Sequence, residues 1–169
     1  MSPEYACPPT YCVAGKDVGV DFMEGVLSKL SINRSEFAVQ ALMSWKPYEN
    51  TLACWNPLAT TWKMEYICNF NSVGVQSYQD QEMGMKATAN TLALSYYIPI
   101  RTMLKIEGFD REAIRNSLSI WGTCSGTGCD SLLDKWYSIY PLKDQTPPIS
   151  TVSISGTIGE NNWYRSNVT

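Results

Sequence analysis

The sequence predicts a mainly α-helical domain with an irregular, polar middle segment and an extended C-terminal tail. Apolar residues recur at helical spacing on both sides of residues 50–80, whereas that stretch is rich in Asn, Thr, Ser and Gly and lacks the period. After Pro141 the composition changes to Pro, Ser, Thr and Gly. With 169 residues, 44% of them hydrophobic and 17% charged, the chain is long enough to bury one core.

The first elements follow from spacing and from helix-boundary residues. Residues 1–16 carry three prolines and two cysteines and are typical of an irregular arm clamped by a disulfide. A helix is predicted over Asp17–Leu30. Ser35 is a suitable N-cap for a second helix, whose apolar face includes Trp45. Pro47 is expected to end or kink that helix, because it lacks an N–H, which leaves Glu49 at or just past the helix end.

The later elements alternate loops with short helices. Residues 50–80 are predicted to be loop, with short strands near Met64–Cys68 and Val73–Ser77. Pro99 is expected to separate two of the later helices, and Gly108 to end the second of them. Gly122–Cys129 is predicted to be a tight loop. The remaining predicted helices are Asp80–Ser95, Arg101–Glu107, Arg111–Ile120 and Ser131–Tyr140.

Charge and hydropathy exclude several partners. The net charge is −3 and the basic residues form no run, so we expect no nucleic-acid partner. No apolar stretch approaches the length of a transmembrane helix, and the first residues show no signal-peptide pattern, so no membrane span is predicted.

The six cysteines and the absence of histidine indicate disulfides instead of a metal site. The cysteines fall in three close pairs, which predicts the local bonds Cys7–Cys12, Cys54–Cys68 and Cys124–Cys129 and an extracellular or virion-associated location. The alternative is a set of reduced cysteines in a cytosolic core. Because none of the pairs has the spacing of a zinc hook, we expect no metal and no cofactor.

Glu49 is the best candidate catalytic residue. Without histidine, imidazole-based triads are excluded, and no phosphate-loop or dinucleotide motif is present. Glycoside cleavage can proceed on carboxylates alone. Neighbouring aromatic residues (Trp45, Tyr48 and Trp55) and the negative end of a helix dipole would both raise the pKa of Glu49, which suits a general acid. The alternative is a solvated surface glutamate.

The sequence offers several candidates for a second catalytic carboxylate and for substrate-binding residues beside Glu49. Glu65, Asp80 or Glu82 would serve as a base if it lay about 6.5–9.5 Å from Glu49, although Asp80 suits a helix N-cap equally well. Polar residues of the irregular segment are candidates for hydrogen bonds to sugar hydroxyls, namely Asn56, Thr60, Thr61, Asn71 and Tyr78. Alternatively, they cap turns within the loop.

Four motifs in order carry a resemblance to a known domain. They are W-x-x-x-E (Trp45–Glu49), N-P-L-A-T-T (Asn56–Thr61), F-N-S-V-G-V-x-x-Y (Phe70–Tyr78) and G-x-x-A-T-x-x-T-L (Gly84–Leu92). Together they resemble a lysozyme-like domain of phage, prophage and actinobacterial proteins that act on the cell wall. The W-G-T at Trp121–Thr123 resembles the place where that domain closes.

The resemblance implies a lysozyme-like helical fold over residues 17–140, between the arm at 1–16 and the tail at 141–169. It implies that Glu49 is the catalytic glutamate and that Asn56 and Tyr78 position the substrate. Asn50 stands where glycine is usual in that pattern, and Pro47 and the cysteines also depart from it.

Two functions are therefore predicted as alternatives. The first is cleavage of peptidoglycan glycan strands, of the muramidase, glucosaminidase or lytic transglycosylase type, by a virion-associated or secreted domain that acts on peptidoglycan or another polysaccharide. The second is a catalytically inactive structural or wall-binding protein of a virion or surface filament. In that case residues 141–169, which contain β-favouring residues, would contact other subunits.

Overall fold

A computed structural model describes residues 12–65, 67–125 and 128–141. Within these residues the chain forms six α-helices and one antiparallel pair of short strands, which confirms the mainly α class. Most of the predicted N-terminal arm and nearly all of the predicted tail lie outside the described residues. The elements in chain order are α1 (Val20–Lys29), α2 (Glu36–Glu49), β1 (Cys68–Asn69), β2 (Gln76–Ser77), α3 (Gln81–Leu92), α4 (Ile98–Leu104), α5 (Arg111–Trp121) and α6 (Cys129–Ile139).

Three of the helices begin at a side-chain cap. Ser35 accepts a hydrogen bond from the Ala38 amide at 3.0 Å, and Asp80 accepts one from the Met83 amide at 2.8 Å. Asp110 does the same at the start of α5. Each cap satisfies an amide that has no partner inside its own helix. The predicted roles of Ser35 and Asp80 as N-caps are confirmed.

Helix α2 lies at the centre of the core and packs against α1, α4 and α6. Its residues Leu42 and Trp45 are fully buried, as is Trp136 of α6. The Trp136 indole Nε1–H donates to the Ala41 carbonyl at 2.9 Å, which satisfies the one polar atom of that ring. Because it is surrounded by helices, α2 holds its last residue, Glu49, at a fixed place.

The G-x-x-A-T-x-x-T-L pattern is the buried face of α3. A Cβ added at Gly84 would lie 2.0 Å from the backbone oxygen of Trp55, so only glycine allows α3 to contact the irregular segment this closely. The other residues of the pattern are buried on the same side of the helix, namely Ala87, Thr88, Thr91 and Leu92. This contact places the segment after Glu49 against α3.

The predicted place of Glu49 at the end of the second helix is confirmed, whereas other predicted boundaries were wrong. Helix α2 continues through Pro47 and ends at Glu49, so Pro47 does not itself end the helix. A proline in the last turn removes only one helix hydrogen bond there, and the Asn50 amide still reaches the Lys46 carbonyl at 3.0 Å. Pro99 lies in the first turn of α4, where proline is tolerated, so it starts that helix instead of separating two. The left-handed residue after α4 is Ile106, with a φ of 60°, and not Gly108.

The predicted disulfide pairing was wrong for the first two pairs. Cys12 bonds to Cys54, whereas the predicted Cys124–Cys129 bond is confirmed. The bond between residues 12 and 54 follows from backbone pairing: the Gly15 amide donates to the Ala53 carbonyl at 2.9 Å, beside the bonded cysteines. Sequence proximity therefore misled the prediction, because spatial proximity decides which cysteines can bond.

The pairing also corrects the predicted partners of the remaining cysteines. Cys68 is disulfide-bonded, but not to Cys54, and Cys7 lies outside the described residues. The two disulfides within the described part of the chain are consistent with an oxidising, extracellular environment. No described helix is long and apolar enough to cross a bilayer.

Candidate active site

Glu49 is the last residue of α2 and is half-buried. The next residue, Asn50, has a φ of 37° and a ψ of 41°, which ends the helix in the left-handed conformation. Asparagine is one of the few residues besides glycine that tolerate this conformation. Asn50 thus allows a sharp exit from the helix directly after Glu49.

One oxygen of the Glu49 carboxyl accepts two hydrogen bonds. The Thr123 hydroxyl donates to Oε1 at 2.6 Å, and the Trp45 indole Nε1–H donates to the same atom at 3.0 Å. The indole N–H also points at the Thr123 hydroxyl oxygen, 2.9 Å away. Trp45 and Glu49 can meet because residues four apart share one face of a helix. Thr123 approaches from the other side, at the turn after α5.

Tryptophan rings form the apolar side of this site. Trp45 is fully buried, with the Trp121 ring centroid 4.8 Å away and the Trp136 ring centroid 5.7 Å away. The Trp121 indole N–H donates to the Leu58 carbonyl at 2.6 Å, which ties the end of α5 to the N-P-L segment. The W-G-T motif therefore contacts both Glu49 and the segment that follows it.

Burial raises the pKa of Glu49 above the ordinary value for glutamic acid. The hydrogen bonds from Thr123 and Trp45 act in the opposite direction, because they stabilise the carboxylate, but their combined effect is smaller than that of burial. The carboxyl consequently keeps its proton at a higher pH than a solvated glutamate does. The alternative of a solvated surface glutamate does not fit this environment.

The predicted substrate residue Asn56 lies inside the irregular segment. It is fully buried, and its Nδ2 donates to the carbonyls of Thr60 and Gln76 at 2.9 and 2.7 Å. Its Oδ1 accepts from the Thr60 amide at 2.9 Å. Both donors are therefore occupied by the loop. Asn56 links the N-P-L segment to strand β2 and has no exposed surface for a sugar in this conformation.

Two further predicted substrate residues are also buried. The hydroxyl of Thr60 is hydrogen-bonded to that of Thr91, and Thr60 is 2% exposed. The Tyr78 hydroxyl donates to the Trp62 carbonyl at 2.7 Å, and burial raises the pKa of this phenol. Thr60 and Tyr78 thus hold the irregular segment together and against α3, and in this conformation neither presents a surface for a sugar.

Asn71 is the exposed member of the predicted substrate set. Its Oδ1 accepts from the Val75 amide at 3.0 Å, and its carbonyl accepts from the Gly74 amide at 3.2 Å. Gly74 has a φ of 92°, as a tight turn between β1 and β2 requires. Asn71 shapes the tip of the hairpin, and its side chain remains accessible there.

The three candidate second carboxylates have other surroundings. Asp80 caps α3, and Glu82 forms an ion pair with Lys29 of α1. Glu65 is exposed. In the described part of the chain, Glu49 forms hydrogen bonds with Trp45 and Thr123 and with none of these carboxylates. The described ranges also hold no cluster of three or more Cys, Asp or Glu side chains suited to a metal ion.

Sequence reasoning missed Thr123 as a partner of Glu49. The W-G-T motif suggests only a place where the fold closes, and a sequence separation of 74 between Glu49 and Thr123 leaves no local signal of their contact. No protein-family model, curated protein or solved structure matches this chain. The interpretation of the site therefore depends on its own geometry.

Proposed function

We propose that this chain cleaves the glycan strands of peptidoglycan, with Glu49 as the general acid. The observation that carries the proposal is a half-buried glutamate at a helix end, held by Trp45 and Thr123, whose pKa is raised by burial. A carboxyl whose pKa is raised keeps its proton to a higher pH than a solvated glutamic acid does, and it can protonate the oxygen of a glycosidic bond as that bond breaks.

The same two hydrogen bonds stabilise the Glu49 carboxylate that is left after the proton has been donated. Once Glu49 has given up its proton, its carboxylate accepts hydrogen bonds from the Thr123 hydroxyl and the Trp45 indole. Bonds to an ionised acceptor are stronger than those to a neutral one. The site thus stabilises the charge that appears during the reaction, while burial raises the pKa of Glu49 and so favours its protonated form before the reaction.

The surroundings of the other carboxylates favour a reaction that needs only one acid. Asp80 and Glu82 are already engaged, as a helix cap and in an ion pair. Of the predicted reaction types, the lytic transglycosylase type fits best, because a muramyl hydroxyl of the substrate itself attacks the sugar carbon. This reaction leaves an anhydro end one water lighter than the hydrolysis product, so mass spectrometry separates it from muramidase or glucosaminidase cleavage.

The covalent framework supports a place of action outside the cytoplasm. The Cys12–Cys54 bond fastens residues 12–16 to the segment directly after Glu49, and Cys124–Cys129 lies beside Thr123. Peptidoglycan is found in the oxidising surroundings where such bonds persist. We therefore propose a secreted or virion-associated protein.

The test is the release of soluble glycan fragments from purified peptidoglycan sacculi, followed by mass spectrometry. Wild type is compared with Glu49→Gln, which keeps the shape and the Oε1 acceptor but has no acidic proton. Glu112→Gln is the matched control, because it removes an exposed carboxylate that is not a candidate for the reaction. We expect wild type and Glu112→Gln to release fragments with anhydro ends, and Glu49→Gln to be slower by about 100-fold or more. Equal release by wild type and Glu49→Gln, or none by wild type, contradicts the proposal.

A further inference from the structure

We propose that Thr123 is a positioning residue that holds Oε1 of Glu49 as a hydrogen-bond acceptor and so leaves Oε2 as the oxygen that carries and donates the proton. The inference rests on the proposed function of Glu49 as a general acid. It deepens that function by assigning the reacting atom and the residue that selects it.

The direction of each hydrogen bond follows from the chemistry of the three groups. An indole N–H is only a donor, so Trp45 can donate to the Thr123 hydroxyl oxygen at 2.9 Å but cannot accept from it. The hydroxyl hydrogen of Thr123 is therefore free to point elsewhere. The Oε1 atom of Glu49, 2.6 Å away, is the acceptor it meets. Trp45 thereby orients the Thr123 hydroxyl toward the carboxyl.

Two donors on one oxygen determine where the proton of Glu49 resides. Oε1 receives the Thr123 hydroxyl and shares the single Trp45 indole N–H with the Thr123 hydroxyl oxygen, so a proton bound to Oε1 would face both hydrogens. The proton therefore binds Oε2. Within the described residues, the hydrogen bonds that Glu49 accepts through its side chain both go to Oε1. We therefore assign Oε2 as the oxygen that meets the substrate.

The proton transfer is balanced with these assignments. The O–H bond at Oε2 breaks, and its proton binds the glycosidic oxygen as the bond from that oxygen to the sugar carbon breaks. The electron pair of the broken C–O bond stays on the leaving oxygen, and the negative charge resides on the Glu49 carboxylate. The oxygen of the muramyl hydroxyl then bonds to the sugar carbon, and its proton binds Oε2, which restores the neutral acid. The bonds from Thr123 and Trp45 to Oε1 strengthen as this charge appears, so they favour the transfer.

The backbone of Thr123 is held in place by its neighbours on both sides along the chain. Gly122 has a φ of 107° and ends α5, with its amide donating to the Leu118 carbonyl at 3.1 Å. On the other side, Cys124 is bonded to Cys129, the first residue of α6. A threonine between a helix end and a disulfide has little freedom to turn away from Glu49, which is what a positioning role requires.

The variants that test this role are Thr123→Val and Thr123→Ser. Valine has nearly the same shape but no hydroxyl, whereas serine keeps the hydroxyl and loses only a methyl group. The first measurement follows the carbon-13 carboxyl resonance of Glu49 against pH, without substrate. Thr123→Val is expected to raise the pKa of Glu49 above the wild-type value, because the carboxylate loses a donor, and Thr123→Ser is expected to restore it.

The second measurement is the pH dependence of glycan cleavage by the same proteins. Thr123→Val should lower kcat by about 10- to 100-fold with little change in KM, and should move the loss of activity at high pH to a higher pH. Thr123→Ser should remain within a few fold of wild type. Should Thr123→Val not fold, as judged by near-ultraviolet circular dichroism, Thr123→Ala makes the same comparison.

The outcomes separate this inference from the proposed function. An unchanged pKa of Glu49 and an unchanged pH profile in Thr123→Val would overturn the positioning role, even if Glu49→Gln is inactive. Full activity of Glu49→Gln would overturn the proposed function and the catalytic meaning of Thr123 together. A raised pKa with lowered kcat in Thr123→Val, both restored by Thr123→Ser, supports the inference, since a merely structural threonine would not move the pKa.

Discussion

Exchanging Asn56 for aspartate replaces one buried NH₂ group by oxygen and tests how the segment beside Glu49 is held. Asn56 is fully buried, and its Nδ2 donates to the carbonyls of Thr60 and Gln76. In Asn56→Asp an acceptor faces these two carbonyl oxygens at 2.9 and 2.7 Å. The shape of the side chain is unchanged, so the effect comes from hydrogen bonding and charge alone.

The magnitude follows from the groups that lose their partners. Both carbonyls lose the Asn56 donor, although the Thr60 carbonyl keeps a hydrogen bond from the Gln76 amide at 3.2 Å, and a buried carboxylate now faces them. At about 1–3 kcal/mol for each lost or unsatisfied group, the free energy of unfolding should fall by about 4 kcal/mol at pH 7. For a domain of this size, that is a fall in Tm of about 8–16 °C. An aspartate buried here should have a raised pKa in the folded state, because a protonated carboxyl can again donate one hydrogen bond. The destabilisation should therefore shrink as pH falls from 7 towards 4.

Chemical unfolding followed by tryptophan fluorescence measures this, since the chain has six tryptophans. Asn71→Asp is the matched control: Asn71 is exposed and its Oδ1 accepts a hydrogen bond from the Val75 amide, which an aspartate oxygen accepts as well. Asn71→Asp should stay within about 0.5 kcal/mol of wild type. Equal stability of the two variants, or a deficit in Asn56→Asp that does not shrink in acid, would refute the reasoning.

Three further predictions concern stability. Gly84→Ala should lower the free energy of unfolding by about 2–3 kcal/mol, measured by calorimetry, because the added Cβ would lie 2.0 Å from a backbone oxygen. Gly108→Ala is the control and should change it by less than about 1 kcal/mol. Equal effects of the two variants would argue against the close contact. Replacing Cys12 and Cys54 together by alanine opens a loop with a sequence separation of 42 and should lower the free energy of unfolding by about 4 kcal/mol, measured by chemical unfolding. A loss below about 1 kcal/mol would mean that backbone pairing alone holds these segments together. Burial raises the pKa of Glu49, so the native state favours the protonated form of this carboxyl, and the resulting stabilisation is lost as pH rises through the folded pKa. Glu49→Gln should therefore gain stability relative to wild type between pH 4 and pH 7. A constant difference in stability would contradict the raised pKa.

The helices could be predicted from local signals because those signals agree with the core. Ser35 and Asp80 are caps whose partners lie three residues away, so sequence alone identifies them. Pro47 correctly indicated that the helix ends near Glu49, but the proline lies within the last turn, where only one hydrogen bond is lost, and does not itself end the helix. Local chemistry therefore predicts that an element exists better than it predicts where the element ends.

The site could be predicted only in part, because its contacts are non-local. Glu49 and Trp45 are four residues apart, and the sequence indicated an apolar setting for the glutamate. Thr123 is 74 residues away from Glu49, and Cys12 is 42 residues from its partner, so neither contact has a local signal. Asn56 illustrates the opposite error: a polar residue in a loop suggested exposure, although polar side chains also satisfy buried backbone groups.

The most direct test of the central claim is the rate of glycan cleavage against pH for wild type and Glu49→Gln, measured on a soluble peptidoglycan fragment. If Glu49 is the general acid, the wild-type rate should fall as pH rises through the pKa of Glu49, which burial places above the ordinary glutamic acid value. The Glu49→Gln rate should be low and show no such fall. A Glu49→Gln protein with the wild-type rate and the same pH dependence would contradict the account.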